Sequence, residues 1–422
     1  MEIPQFAGRG NEDIIFDGAP MRTLYSLLVS LILLMGGSEG QQLIWLGTLG
    51  GSESAACSIS ADGSVVVGLA VAADGYYHAF RWTAAGGMQD LGTLHGGNYS
   101  EALGVSPEGT VVVGISNTAE GASHAFRWVE GVGMQDLGTL LGGEYSKAHS
   151  VSQEGMVIAG VAINASGFYR AFRLVANRGM QDLGTLGGEW SEAYGVSTDG
   201  SVIVGRAQDS QSRWRAFRWT AERDMQDLGT LGGEWSEARG VSADGSVIAG
   251  RAQDNEGRWR AFRWTATTNM QNLEVLPGGY ESEAFGISAD GRVVVGRSED
   301  RNYCWRAFRW RADKGIEDLN TLFAQLLTDG SRLDVAYATS ADGRYIVGKG
   351  FNASTGRTEG YLLDTSITGD VDSDGCVDDT DLLAVLLNFG QTGFNLPADV
   401  NGDRIVDDAD LLLVLLNFGN GC

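Results

Sequence analysis

The sequence predicts a mainly β chain, a seven-bladed β-propeller followed by a small α-helical domain, and three observations carry that prediction. One phrase recurs with a period of 45 or 46 residues, each period holds four short strand candidates, and the two ends of the array hold complementary fragments of one period.

The phrase Leu46-Gly-Thr-Leu-Gly-Gly51 returns from Leu91, Leu137, Leu183 and Leu228, becomes Leu-Glu-Val-Leu-Pro-Gly-Gly at Leu273 and fades to Leu-Asn-Thr-Leu-Phe at Leu319. In the same phase stand acidic-glycine pairs, Asp62-Gly63, Glu108-Gly109, Glu154-Gly155, Asp199-Gly200, Asp244-Gly245, Asp290-Gly291 and Asp342-Gly343, each before an apolar run such as Val202-Ile-Val-Gly205. A turn glycine between two apolar runs signals a hairpin. Ala-Phe-Arg-Trp begins at Ala79, Ala125, Ala216, Ala261 and Ala307, with a copy from Ala171 ending in Leu174 and a last one reading Gly360-Tyr-Leu-Leu363. Met-Gln-Asp then runs into the next Leu-Gly-Thr-Leu.

The four strand candidates are therefore Glu-Ala-x-Gly-Val-Ser, Val-Val-Val-Gly, Ala-Phe-Arg-Trp and Met-Gln-Asp-Leu-Gly-Thr-Leu. Apolar residues recur at intervals of two rather than three and four, which excludes helical repeats, and a parallel β-helix has a shorter coil. With 62 glycines against 5 prolines, tight turns between short strands dominate the chain. The array opens on an orphan fourth strand, Leu43-Ile-Trp-Leu-Gly-Thr-Leu49, and its seventh unit stops after the third strand at Tyr361-Leu-Leu-Asp364. Paired, the two complete one blade and leave no exposed edge; an open or stacked array is the alternative.

The units from about residue 43 to 364 resemble HAF repeats, found in extracellular bacterial proteins and named for a His-Ala-Phe core that stands here as His78-Ala79-Phe80 and His124-Ala125-Phe126, with Arg at Arg170, Arg215, Arg260 and Arg306. That family implies no established reaction.

The formal charge of -24 excludes general affinity for nucleic acid or anionic membrane, since both need a positive footprint. Residues 1–40 form the signal region: Arg22, an apolar run from Leu24 to Met35, and Ser38-Glu39-Gly40 read as a secretory signal with its cleavage site. The polar, acidic stretch before it points to Met21 as the true start, and the mature chain begins near Gln41. About a dozen apolar residues fall short of the roughly 20 a membrane anchor needs. The expected location is therefore extracellular or at the cell surface, without membrane insertion of the mature chain. The repeat domain spans 41–366 and the acidic tail 367–422.

Within the repeats no copy offers a nucleophile or acid-base pair that the others lack. His78 and His124 are equivalent, His95 replaces a loop glycine, and His149 stands where other units have Tyr194 or Phe285. Glu189 and Glu192, repeated as Glu234 and Glu237, could suggest glycoside hydrolysis, but their recurrence as Glu144 with Lys147 and as Glu281 and Glu283 reads as rim residues in loops. The aromatic-basic runs Trp214 to Trp219 and Trp259 to Trp264 either pack between blades or stack on sugar rings. The domain is expected to be non-catalytic, a binding or structural module; the alternative is a carbohydrate-binding or polysaccharide-degrading component.

The tail is more specific. Asp370-Val-Asp-Ser-Asp-Gly-Cys-Val-Asp-Asp-Thr-Asp381 sets oxygen ligands at positions 1, 3, 5, 9 and 12 of a twelve-residue loop, with Gly375 at position 6. This is EF-hand spacing, and such oxygen-only donor sets take Ca2+. The expected ligands are Asp370, Asp372, Asp374, the Cys376 carbonyl, Asp378 and Asp381. A second loop offers Asp399, Asn401, Asp403, the Ile405 carbonyl, Asp407 and Asp410, with Arg404 at the position that favours a left-handed backbone. Each loop precedes an apolar helix candidate ending in Asn-Phe-Gly, at Gly390 and at Gly419. Residues Asp370 to Cys422 are similar to a type I dockerin. That resemblance implies docking onto a cohesin-like partner and brings Cys376 and Cys422 together as a disulfide, leaving Cys57 and Cys304 unbridged. Leu386, Leu387, Leu415 and Leu416 either form an apolar docking face or bury one another.

Overall fold

The computed structural model describes residues 41–176, 178–372, 376–393, 396, 398–401 and 403–419; the expected secretory signal and the expected start at Met21 fall outside the described residues. Gln41–Ser366 forms one compact unit, and Ile367–Cys422 belongs to another.

Gln41–Ser366 holds seven four-stranded antiparallel sheets, the blades of a propeller. Blade 4 is representative, with strands Gly187–Val196, Ile203–Asp209, Trp214–Thr220 and Asp224–Asp227 from the channel outward. In blade 7, Arg332–Thr339, Tyr345–Asn352 and Arg357–Asp364 are completed by Gln42–Trp45 from the other end of the chain, with Leu43 opposite Leu363 and Trp45 opposite Tyr361.

Sequence dictates each blade through a bulge and a missing side chain. The innermost strand of blade 4 shifts register between Ala193 and Gly195, which drives the Glu192 carbonyl toward the second strand. A Cβ on Gly205 would lie 2.0 Å from that oxygen and 2.8 Å from the Phe217 ring. Only glycine fits, and for that reason the Val-Val-Val-Gly phrase never varies at its last position. The ring facing it is the buried phenylalanine of Ala-Phe-Arg-Trp, replaced in blade 7 by Tyr361.

At six of the seven junctions, neighbouring blades are joined by a buried serine. Ser100, on the innermost strand of blade 2, accepts from the Ala79 N–H at 2.8 Å and donates to the Gly92 carbonyl at 2.6 Å, tying itself to the third strand and exit loop of blade 1. Ser146, Ser191, Ser236 and Ser282 repeat the bond to Ala125, Ala171, Ala216 and Ala261. Ser54 does the same for Gly360 across the chain ends, at 2.9 Å.

A second set of bonds circles the ring beside the acidic-glycine turns. The N–H of Gln153 donates to Thr198, Thr198 to Ala243, Ala243 to Ala289, Ala289 to Ala341, Ala341 to Ala61 and Ala61 to Pro107, at 2.9 to 3.1 Å. Pro107 has no N–H to pass the chain on. There the Glu154 N–H binds the Glu108 carboxylate instead, at 3.2 Å.

One sequence expectation is corrected. Leu-Gly-Thr-Leu does not extend the fourth strand, which ends at Asp90, Asp136, Asp182 and Asp227, and the N-terminal strand ends at Trp45 rather than Leu49. The aspartate accepts from the N–H two residues on, as Asp90 does from Gly92 at 2.7 Å, and that glycine turns the chain at φ +71°. Leu91 and Leu94 thereby enter the core between blades 1 and 2. The outer strands are left four residues long and polar, which blunts them as pairing edges.

Deleting Gln41–Leu49 would expose the Arg357–Asp364 edge and uncover its apolar face. Stability should fall by more than about 3 kcal/mol, the burial of one or two large apolar side chains. A urea midpoint equal to that of the intact protein would contradict the closed ring.

Candidate functional site

In the tail each loop precedes a helix, Asp379–Asn388 or Asp408–Asn417. Asp378 and Asp407 cap these helices by accepting from Thr380 and Ala409, and Asp381 and Asp410 reach back to the N–H of Asp378 and Asp407 at 2.8 Å. Both returning carboxylates are fully buried. They also close each loop on its start, accepting from Val371 at 2.6 Å and from Asn401 at 3.0 Å. Val377, Val385, Ala398, Val406 and Val414 form the core. The glycine after each helix donates to the other loop, Gly390 to the Val406 carbonyl and Gly419 to that of Val377.

Of the expected ligands, Asp370, Asp372 and Asp381 converge, offering carboxylate oxygens within 4.8 Å of one another. Three carboxylates so placed repel unless a cation joins them, and an all-oxygen set fits a hard ion such as Ca2+. Asp374 lies outside the described residues, and Asp378 caps the helix. In the second loop the side chains turn onto the loop's own backbone. Asp399 accepts from Asp403 and Arg404, Asn401 from Asp403, and Asp403 from Ile405, while Asp407 and Asp410 hold the helix start. Arg404 adopts the left-handed backbone at φ +75°. Leu386, Leu387, Leu415 and Leu416 are each at least half exposed, so they do not bury one another. Cys57 and Cys304 are free thiols, whereas Cys422 lies outside the described residues.

On the propeller, the seven innermost strands enclose a central lumen of about 260 Å³. Its lining includes one equivalent residue from every blade, Cys57, Leu103, His149, Tyr194, Arg239, Phe285 and Tyr337. These occupy the x of Glu-Ala-x-Gly, where a strict repeat stops repeating. The following glycine lets adjacent strands close up, since a Cβ on Gly195 would stand 2.9 Å from the Arg239 carbonyl. Burial, with Glu101 adding, pushes the Cys57 thiol up to about 12.

In blades 2 to 6 the residue two before the lining position is charged, and each engages a partner on a neighbouring blade. Lys147 meets Glu101 at 3.3 Å and His149 meets Glu192 at 3.1 Å. Arg206 joins Glu192 and Glu237, Arg251 joins Glu237 and Glu283, and Arg297 binds Glu283, at 2.7 to 3.1 Å. Tyr194 donates to Glu192 at 2.7 Å. Burial works to raise the Glu192 carboxyl, but the His149 hydrogen bond, Arg206 and Tyr194 overcome it and hold it well below the carboxylate range. Burial holds the His149 imidazole below its ordinary value.

This network corrects a second expectation, because Glu192, Glu237 and Glu283 are strand residues in a buried ring of ion pairs and not rim residues in loops. The serine before each is locked between blades, so the next side chain turns to the opposite face of the strand. Glu189 and Glu234 remain exposed. The aromatic runs divide their labour: Phe217 and Trp219 are buried between blades, whereas Trp214, Trp259 and Trp305 stack on Arg206, Arg251 and Arg297 at 4.5, 4.3 and 4.2 Å. The His-to-Arg change keeps an aspartate partner in every copy, the fourth-strand one at Arg170 and Arg215 and Asp254 or Asp300 at Arg260 and Arg306. His78 and His124 pair with Asp90 and Asp136 at 2.8 Å, and Arg215 makes the same cross-strand pair with Asp227 at 3.1 Å.

No family model and no curated protein sequence matches this chain. Solved structures match by shape. An oligogalacturonate lyase from Vibrio parahaemolyticus is 11% identical, over 79% of this chain and 99% of its own, with a TM-score of 0.50. TolB from Acinetobacter baumannii is 12% identical, over 72% of this chain and 65% of its own, at 0.45. A lectin from Burkholderia pseudomallei is 8% identical, over 76% and 97%, at 0.43. Likeness at this level concerns the fold alone.

Glu192→Gln should cost about 3 kcal/mol at pH 7, because it breaks a buried pair and leaves its cationic partner short of charge. The folded value of Glu192 lies below the unfolded one, so its contribution is full above about pH 4.3 and is lost as pH falls toward the folded value. The stability gap between wild type and variant, read from urea midpoints, should therefore narrow from pH 7 to pH 3. An equal gap at both pH values would remove Glu192 from the network's energetics.

Proposed function

We propose that this protein is a secreted, non-catalytic propeller tethered to a scaffold or cell surface through a calcium-folded, dockerin-like tail. The observation that carries the reading is the convergence of Asp370, Asp372 and Asp381 in a loop of EF-hand spacing, next to a duplicate loop closed by the same capping carboxylate. Two Ca2+ ions are held on this reading, one by Asp370, Asp372, Asp374, the Cys376 carbonyl, Asp378 and Asp381, the other by Asp399, Asn401, Asp403, the Ile405 carbonyl, Asp407 and Asp410. The ions supply the positive charge that lets these carboxylates share a loop, so binding contributes folding free energy. The second site is the weaker, since Asn401 removes a charge and Arg404 adds one beside the ion. A Cys376–Cys422 bridge would close the module and contribute roughly 4 kcal/mol in the chain-entropy model.

The exposed leucines of the two helices supply an apolar face for a cohesin-like partner. For the propeller, non-catalytic status is supported by the state of its channel carboxylates. Glu192 is held ionised by the His149 hydrogen bond and Arg206, and Glu237 by its arginines, whereas a general acid needs a raised pKa. A second reading, carbohydrate binding, draws on the exposed rings of Trp190 and Trp235, which lean on Trp214 and Trp259 at 6.4 and 6.5 Å. A glycan array run beside a reducing-sugar release assay separates lectin from hydrolase.

Calcium titration of the intact chain should give two binding events, the first tighter, and Asp381→Asn should remove one. In excess chelator a protease should trim the chain beyond Ser366 while the propeller survives, and calcium should protect the tail. No heat of binding together with equal resistance in chelator and calcium would defeat the tether.

A further inference from the structure

Among the residues lining the propeller lumen, Arg239 is the one charged side chain. Its guanidinium lies between two rings from the neighbouring blades, Tyr194 at 5.0 Å and Phe285 at 5.2 Å, so its faces are covered and its edge is left for polar contact. One terminal nitrogen donates to Glu237 at 2.9 Å, while the buried Nε has no hydrogen-bond partner.

The charge balance of this sector points the same way. Arg206, Arg239, Arg251 and Arg297 make their direct ion pairs with Glu192, Glu237 and Glu283, so four guanidiniums share three carboxylates. Arg206 and Arg251 each bridge two carboxylates and Arg297 holds Glu283. The guanidinium left short is therefore that of Arg239, which shares a glutamate already bound by two other arginines. A half-buried, under-neutralised cation is costly to keep without an anion, and it stands in a chain whose net charge is -24.

We infer that the lumen is a binding site for a small organic carboxylate, anchored by Arg239. A planar carboxylate matches the edge of a guanidinium through two parallel N–H···O bonds. The lumen of about 260 Å³ lies just under the roughly 300 Å³ at which small-molecule sites begin, so it takes one ring and no more. Leu103, Phe285 and Tyr337 give that ring an apolar wall, and Ser58 and Ser150 offer hydroxyls. This site is independent of the calcium tail and goes beyond the tethering role.

The test is calorimetry on the intact, calcium-loaded protein with D-glucuronate, its neutral counterpart D-glucose, and inorganic phosphate. Glucuronate should bind, glucose and phosphate should not, and Arg239→Gln should weaken glucuronate at least tenfold. Leu103→Trp fills the lumen from the opposite wall without touching Arg239, and it should abolish binding while the melting temperature stays within a few degrees of wild type. Should Arg239→Gln fail to fold, Leu103→Trp decides alone. Glucose or phosphate binding as tightly as glucuronate, full affinity in Arg239→Gln, or full affinity in Leu103→Trp would each overturn the proposal.

Discussion

The propeller depends on how closely its innermost strands can approach, and at six of the seven junctions between blades a buried serine sets that distance. Its hydroxyl satisfies an N–H of the previous blade's third strand and a carbonyl of the loop leaving that blade, two groups that would otherwise be buried unpaired at a cost of about 1–3 kcal/mol each. Small residues on both sides make the approach possible: Ala102 and its equivalents are fully buried, and the glycine after the lining position admits the neighbouring backbone. Because Ser54 makes the same contact with Gly360, the junction between the chain's ends is built like the five others that carry the serine; between blades 6 and 7 Asn320 bonds the Leu333 backbone in its place.

A frame fixed by backbone and serine relieves one position in each repeat of structural duty. The lining position borders the lumen, and Cys57, Leu103, His149, Tyr194, Arg239, Phe285 and Tyr337 vary there while the frame is kept. Diversity there coincides with asymmetry in charge. Blades 4 to 6 carry arginines on the second strand, Arg206, Arg251 and Arg297, where blades 1 to 3 have Leu69, Ile115 and Val161. The basic half of the channel wall is thus encoded in a few substitutions on an otherwise uniform scaffold.

Much of this was legible in the sequence, and the parts that were not have physical reasons. Blade number, strand order and closure by the N-terminal strand follow from phase, because a repeat that must bury the same face in every copy keeps the same residues there. The fourth strand was read too long since Leu-Gly-Thr-Leu alternates like a strand, although Asp90 and the left-handed Gly92 turn the chain before it. Glu192 was misplaced because a carboxylate next to a tryptophan and a glycine pair looks like a loop, and the cross-blade partner Arg206 is set by the fold rather than by proximity in sequence. The lining ring carried a signal of its own, the position of Glu-Ala-x-Gly that differs in every copy but one pair, but variation in a repeat reads as drift until a structure gathers the seven side chains around one space. In the tail, spacing alone identified Asp370, Asp372 and Asp381 as neighbours.

Native-state hydrogen exchange tests the closed ring most directly. In a ring held by equivalent serine and backbone contacts, the amides of Ala341 and Gly360, which bond across to blade 1, should be protected as strongly as Ala243 and Ala216 in the middle of the array. Protection that decays toward both ends, with Ala341 and Gly360 exchanging far faster than Ala243, is the pattern of an open stack and would contradict the account.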